Sequence, residues 1–424
     1  MSLYIYIHTH THNHTFLFFF LSVSIYLHLF LYIIQNHFTY VRTEHMVHSE
    51  EDGEEVVVIR SYDHCTDRAR VERLERSCEI GHNDRIFLFT DTLGDPICRI
   101  RNSLLHNMLV AEVGNELVGS VQGTIKLVTV HDNLVKAGYV LGLRVAPPHR
   151  RRGIGLVLVR KLEEWFAAHG VDYAYMATQK DNDASLRLFV GKLGYDSFLS
   201  PAILVNPVNR RLRLPSGIAI RKLKVEEAEL RYRRHVAETA EFFPDDIDRI
   251  LRNKLSLGTW VAYYNKRDDY NVGNWAMLSV WNSGEVFKLR IGKAPLGCLV
   301  LTKGSNLIGK YLSCVGLTAL PDLFTPFGFY FVYGVHTEGQ FPMCGRLVRA
   351  LSEHVNNMAA RDSECKVIVT EIGGKGGDDL RRYIPHWKLL SCDDDLWCIK
   401  PMKLDVELAS STRSRSLFVD PREV

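Results

Sequence analysis

Nine cysteines in 424 residues, with no Cys-x-x-Cys pair among them, leave no pattern for a zinc finger, a disulfide framework or a thioredoxin-like redox pair. Cys65, Cys78, Cys98, Cys298, Cys314, Cys344, Cys365, Cys392 and Cys398 are odd in number and widely scattered. They read as small buried apolar side chains in a reduced compartment. Charge of one sign is also scarce. A net charge of +3 demands neither an acidic nor a basic partner, and without zinc spacing or a basic helix no sequence-specific nucleic-acid binding is expected. No metal is expected either. Hydrophobic residues at 46% and charged residues at 24% are ordinary for soluble domains, which argues against wholesale disorder and against a multi-span membrane protein. The length exceeds what one hydrophobic core organises, so two domains plus tails are expected.

One long apolar run does exist. Phe16 to Ile34, broken only by Ser22, Ser24 and His28, is long enough to cross a bilayer. It follows His8, His10, His12 and His14 in alternation with Thr and Asn, and lacks the basic segment that precedes a signal peptide. A repetitive pyrimidine-rich leader reads this way when translated. Met46, just before the acidic stretch Glu50 to Glu55, is then the expected start. A membrane anchor or signal, and a disordered or metal-binding tail, are the competing readings, and a membrane becomes a partner only if residues 16–34 are expressed. No function is assigned to residues 1–55.

From Val56 to Pro207 the periodicities alternate. Val56 to Arg60 is strand-like, Asp67 to Cys78 helical, and Met108 to Val113 and Leu117 to Ile125 form a hairpin around Gly114-Asn115. Tyr139 to Val145 is a short strand stopped by Pro147 and Pro148. A helix opens at Arg150 to Gly155, with Leu158, Leu162, Trp165 and Phe166 on one face, and ends at Gly170. Tyr173 to Thr178 is a strand and Asp183 to Leu193 a helix stopped by Gly194. The class is α/β (α+β): a mixed sheet flanked by helices.

The chemistry concentrates at the turn after Val145. In Arg150-x-x-Gly153-x-Gly155 two residues lack Cβ where a ligand must approach the backbone. Unpaired helix N–H groups and the helix dipole there favour a phosphate, and Arg150, Arg151 and Arg152 add bidentate donors, so a diphosphate ligand is implied. The bland alternative is a tight helix start beside a solvated basic patch. Other phosphate motifs fit less well. A Rossmann turn needs a third glycine and an acid about twenty residues on. At Gly304 to Tyr311 the P-loop pattern ends in Tyr311 instead of a magnesium-binding Ser or Thr, and Gly373 to Gly377 reads as a flexible turn.

Leu141-Gly142-Leu143-Arg144-Val145-Ala146-Pro147 followed by Arg150 to Gly155 resembles the acyl-CoA motif of the GNAT N-acetyltransferases. Asp181-Asn182-Asp183-Ala184-Ser185 with Gly191-Lys192-Leu193-Gly194-Tyr195 resembles that superfamily's second motif. The strings Phe89 to Arg101, Glu241 to Pro244, Asn253 to Thr259, Pro385 to Lys388 and Phe418 to Glu423 are similar to the plant hookless-type N-acetyltransferases, over about Val56 to the C-terminus. The resemblance implies the GNAT acyl-CoA N-acyltransferase fold. It also implies acetyl-CoA as co-substrate, held by Leu143, Arg144, Val145, Arg150, Arg151, Arg152, Gly153, Ile154, Gly155, Asn182 and Ser185. The acceptor it implies is a primary amine, a protein lysine and possible histone tails, with a role in plant growth and a nuclear or cytoplasmic location.

After a linker, 208–217, the pattern repeats from 218 to 403. Its expected elements are a strand Ile218 to Leu223, a helical region Val225 to Leu255, and strands at Thr259 to Tyr264, Trp275 to Trp281, Val286 to Arg290 and Phe329 to Val335. A helix Met343 to Ala360, a strand Lys366 to Glu371 and Trp397 to Ile399 complete it. The stretch Thr337 to Gly345, where a second pyrophosphate loop would fall, has no arginines and no Gly-x-Gly, so this half reads as a degenerate GNAT-like domain; an unrelated α/β domain is the other reading. Residues 404–424 read as a tail, with Ser410 to Ser416, rich in Ser, Thr and Arg, as its mobile part.

An amine attacks a thioester only as its free base, so a proton must leave a lysine ammonium first. The strand Gly142 to Val145 is expected, from the resemblance, to pair with pantetheine and to aim an N–H at the thioester oxygen. Many GNAT enzymes use a tyrosine to protonate the thiolate, and Phe189 stands at that position here. Tyr195 is a substitute candidate, more simply read as a core tyrosine. Leu141 and Gly142 occupy the stretch that often carries a glutamate base, leaving Glu79, Glu112 and His149 as candidates acting through water. These departures keep a non-catalytic acyl-CoA-binding scaffold as the alternative function.

Overall fold

Asp63 stops strand β1, Val57–Ser61, and starts helix α1, His64–Ser77: its side chain accepts from the Cys65 and Thr66 amides, capping the first turn. A computed structural model describes residues 56–79, 88–130, 132–209, 211–265, 273–291, 325–403 and 415–424. The apolar run 16–34, Met46 and the P-loop-like stretch 304–311 lie outside the described residues. Among the described residues no helix is long and apolar enough to cross a membrane.

Strand β2, Leu88–Asp91, is followed by β3, Leu105–Val113, and β4, Glu116–Val130, which make the expected hairpin with Gly114 at a φ of +58°. Then come β5, Asn133–Val145, α2, Ile154–Ala168, β6, Tyr173–Gln179, α3, Asp183–Leu193, and β7, Asp196–Leu199. The large sheet runs β1-β3-β4-β5-β6, antiparallel except for β5 and β6, whose parallel pairing requires the α2 crossover.

The remaining chain builds a second sheet of the same plan. Its strands are β8, Ala202–Pro207, β9, Ile218–Lys222, β12, Ser256–Tyr264, β13, Trp275–Asn282, β15, Gly328–Glu338, and β16, Cys365–Ile372, in the order β8-β16-β15-β13-β12-β9. Again one pair is parallel, β15 with β16, joined by a crossover helix that is the fourth long helix of the fold, Met343–Ala359. Its Leu347, Val348, Leu351 and Val355 pack with Leu278, Val332 and Ile368 in a core of their own. A mixed α/β fold with a second GNAT-like body is what the sequence led us to expect.

The sheets are not divided where composition divides the chain. Strand β17, Asp395–Pro401, expected to complete the second half, lies in the first sheet between β6 and β7, while β8, ahead of the linker, borders β16 in the second. Each half thus lends the other a strand. Alternation predicts a strand but not which sheet receives it. The helical region expected from 225 to 255 is also broken. Short helices at Val225–Arg231 and Ile247–Arg252 flank β10, Ala240–Glu241, and β11, Phe243–Pro244, and β11 pairs with β4 of the first sheet. Strand β14, Lys288–Ile291, pairs with β2, and toward the second sheet it makes only the bridge of Leu289 to Phe327, just ahead of β15.

The end of the chain is no mobile tail where it is described. Strand β18, Ser416–Leu417, pairs with β10, and Phe418, Val419, Asp420, Arg422 and Glu423 are buried. Residues 404–414 lie outside the described residues.

Candidate active site

Strands β5 and β6 are paired from Ala137 with Tyr173 to Val140 with Met176 and then separate. Beyond that point, among the described residues, each is paired only on its outer side, β5 by β4 out to Val145, β6 by β17 out to Gln179. Burial changes at the same place: Val140 and Met176 are buried, whereas Gly142 to Val145 and Ala177 to Thr178 keep accessible surface. One backbone edge of β5 therefore faces an open wedge, ready to pair with an extended ligand. A bulge marks the opening. Between the pairs Ser120 with Arg144 and Gln122 with Leu141, β5 carries one residue more than β4, and Gly142 within it has a φ of +61°.

At the mouth of the wedge Arg150, Arg151, Arg152 and Gly153 are exposed. Gly153 has a φ of +82°, and no side chain caps the first turn of α2. Its leading N–H groups and the dipole's positive end are thus offered to an anion among three guanidinium groups. Ile154 is buried beneath the loop, anchoring it. A Cβ on Gly155 would stand 3.6 Å from Leu188 and from Val145, so α2, α3 and β5 converge there. On the opposite lip Asn182 caps α3: its Oδ1 accepts from the Ser185 amide at 3.2 Å, and its Nδ2 donates to Thr178 at 3.1 Å. The predicted residues thus gather around one opening. Arg144 contributes backbone to it, while its side chain reaches α1, Nε donating to Glu75 at 2.8 Å.

A family model described as the acetyltransferase (GNAT) family matches residues 71–195, which span the wedge and both lips. The chain is 42% identical to "Probable N-acetyltransferase HLS1-like" of Arabidopsis thaliana over 87% of its length and 99% of that protein. It is 43% identical to "Probable N-acetyltransferase HLS1" of the same plant, over 87% of this chain and all of that one. The chain belongs to the GNAT acetyltransferase family. Within it, the hookless-type plant N-acetyltransferases are its relatives over nearly their whole length. Among solved structures, a GCN5-related N-acetyltransferase from Sphaerobacter thermophilus superposes with a TM-score of 0.49 at 13% identity, covering 83% of this chain and 98% of that one.

As a GNAT enzyme it is an acyl-CoA-dependent acetyltransferase. Of the proton-transfer candidates read from sequence, Phe189 and Tyr195 lie in the core, and Glu112 and Glu79 are held by arginines. Phe189 is buried, its ring edge-on to Tyr195 at 5.2 Å. Tyr195 is a core residue beneath Lys400, which is paired with Glu163 at 2.9 Å. Burial and then Glu163 push its hydroxyl well above the usual tyrosine range. Glu112 is held below the carboxylate range by Arg60, and further by Arg70. Glu79 is tied to Arg290. His149 stands in the loop, 3.2 Å from Arg152 and 3.6 Å from Glu116.

Sequence reading missed a cluster at the inner end of the wedge. Tyr139 stacks on Tyr175 with ring centroids 4.8 Å apart, and Tyr175 on Trp397 at 5.5 Å. Three carboxyl groups surround these rings. Glu371 accepts from Trp397 Nε1 at 2.8 Å, Asp395 opens β17, and Glu423 accepts from the Tyr175 hydroxyl at 2.6 Å while pairing with Lys126 at 2.8 Å. Burial pushes Glu371 up to about 8, with Asp395 adding to it, and Asp395 itself up to about 7. Glu423 is raised too, by burial against the opposing pull of Lys126. An acid next to the last residue of the strand Cys365–Ile372, after the apolar run Val367 to Val369, was the one signal available for Glu371. Its meaning depends on β17 crossing between the halves. Among the described residues no group of His, Cys, Asp and Glu could hold a metal.

Proposed function

We propose that this enzyme transfers the acetyl group of acetyl-CoA to the side-chain amine of a protein lysine. The supporting observation is the lining of the wedge's inner end. Tyr139, Tyr175 and Trp397 stack there beside Glu371 and Asp395, buried carboxyl groups whose proton affinity is raised to about 8 and about 7, which suits them to exchange a proton with an amine. On this reading the CoA diphosphate lies on Arg150, Arg151, Arg152, Gly153, Ile154 and Gly155, and pantetheine pairs with Leu143, Arg144 and Val145. Asn182 and Ser185 close the other lip. The uncharged backbone edge takes the neutral arm of the donor, and the acidic end takes the acceptor.

Histone tails are lysine-rich and extended, so they are the proposed acceptors, in the nucleus or cytoplasm, with growth control as the biological role. Residues 56–207 would act as the acetyltransferase domain and 218–403 as the degenerate one. The purified chain, offered acetyl-CoA with histone peptides and with mixed polyamines, should release free CoA and yield acetyl-lysine detectable by mass spectrometry. Acetylation of polyamines alone, or CoA release without any acetylated peptide, would sink the lysine assignment.

A further inference from the structure

The first sheet carries the donor loop, yet the candidate acid and base positions on it are filled by Phe189, Leu141 and Gly142. The second sheet has its own point of separation. Strands β15 and β16 pair as far as Val332 with Thr370, and β15 then continues to Glu338 along β13. Glu371 is the first residue of β16 past that point. On the first sheet, the residue past the matching point is Ala177, and Trp397 of β17 is its register partner. The 2.8 Å bond from Trp397 to Glu371 therefore links the two points of separation across the exchanged strand. Glu371 keeps some accessible surface as a residue, whereas its strand neighbours Thr370 and Ile372 are buried, and its carboxyl lies in the buried part, bonded to Trp397.

We propose that Glu371, contributed by the second half, is the base that takes the proton from the acceptor ammonium at the wedge of the first half. The proposal rests on the amine-acceptor reading above. In the step, the ammonium gives one proton to the Glu371 carboxylate. The freed nitrogen pair forms a C–N bond to the thioester carbon, and the C–S bond breaks. The departing thiolate takes the second proton from that nitrogen, leaving the amide and free CoA, and Glu371 returns its proton to solvent. Proton affinity near 8 suits the task, since a base that is too acidic takes no proton from an amine. The groups facing it act together. Asp395 and Glu423 favour its protonated form, Trp397 favours the ionised one, and Lys126 offsets the charge of Glu423. Tyr139 and Tyr175 are held protonated by burial.

Glu371→Gln in the full chain keeps an oxygen for the Trp397 N–H and removes the base. With n-butylamine as the acceptor, kcat/KM should fall roughly a hundred- to ten-thousandfold, with CoA affinity by calorimetry unchanged. With 2,2,2-trifluoroethylamine, already neutral at neutral pH, the defect should largely vanish, which a merely structural role would not produce. An equal defect for both amines, or none for either, overturns the proposal. A second arm needs no turnover. Adding n-butylamine to the CoA-bound enzyme should change tryptophan emission in the wild type and not in Glu371→Gln. Identical responses overturn the assignment even if no acceptor is acetylated. A wild type that responds in this arm yet acetylates no lysine peptide overturns the lysine reading alone.

Discussion

Gly142 and Gly334 occupy matching points of the two sheets: both have positive φ, +61° and +59°, and both lie where their own strand shifts register against its antiparallel partner. Their surroundings differ. Around Gly142 the nearest side chain is Gln122, at ordinary contact distance, and the strand edge beyond it is open. At Gly334 the Tyr232 hydroxyl donates to the glycine carbonyl at 3.2 Å and meets Ser279 at 2.7 Å, so the second bulge is sealed. A π-helical turn, Tyr232–Val236, presents that tyrosine. Further along, a Cβ on Gly345 would come within 2.3 Å of the Tyr383 ring, where the matching Gly155 faces only ordinary contacts.

One CoA per chain follows. Isothermal titration should give a stoichiometry of one, and Tyr383→Ala should leave both affinity and stoichiometry as they are. Two equivalents bound by the wild type would show that the second half keeps a working groove.

Replacing Gly153 tests the donor loop. Its φ of +82° is unfavourable for any residue with a Cβ, by roughly 1–2 kcal/mol, yet nothing lies within 4 Å of the added atom. Gly153→Val should therefore leave a folded protein with a slightly lower Tm and CoA affinity reduced at least tenfold. Unchanged CoA affinity would move the diphosphate elsewhere.

Local chemistry was what the sequence revealed well. The Pro147-Pro148 stop, the arginine and glycine loop and the Asn182 cap each depend on neighbours within a few residues, so these local features could be read directly. The proposed acceptor side could not, because Tyr139, Tyr175, Trp397, Glu371 and Glu423 meet only after β17 and the chain end cross between the halves. Nothing in a period-two pattern tells a strand which sheet it will join. The Ser- and Arg-rich stretch before Phe418 likewise resembles a tail, although the residues after it fill the core.

Arg422 makes that last point measurable. It bonds Asp246 at 2.7 and 2.8 Å and Asp420 at 2.7 Å, and is nearly inaccessible to solvent. Arg422→Ala strands two carboxylates, one of them fully buried, and should cost about 3–5 kcal/mol. Denaturant unfolding should register this as a shift in midpoint. A loss below about 0.5 kcal/mol would mean that the C-terminal segment is docked only loosely.

The carboxyl cluster carries a stability cost whose sign can be worked out. Glu371 has an unfolded value of 4.5 and a folded value of about 8, so the native state holds a proton that the unfolded chain releases. Its contribution is fully favourable below 4.5 and is lost as pH rises through 8, and Asp395, raised from 3.8 to about 7, acts in the same direction. Glutamine and asparagine hold no proton to lose. The Tm advantage of Glu371→Gln over the wild type should therefore grow from near pH 4.5 and level off above about pH 8, and the Glu371→Gln, Asp395→Asn double variant should enlarge it. Such a gain, beside a loss of transfer activity, is the signature of a charge kept in a poorly solvated place for chemistry and against stability. A pH-independent Tm difference would place Glu371 in ordinary solvent and remove the reason for its raised proton affinity.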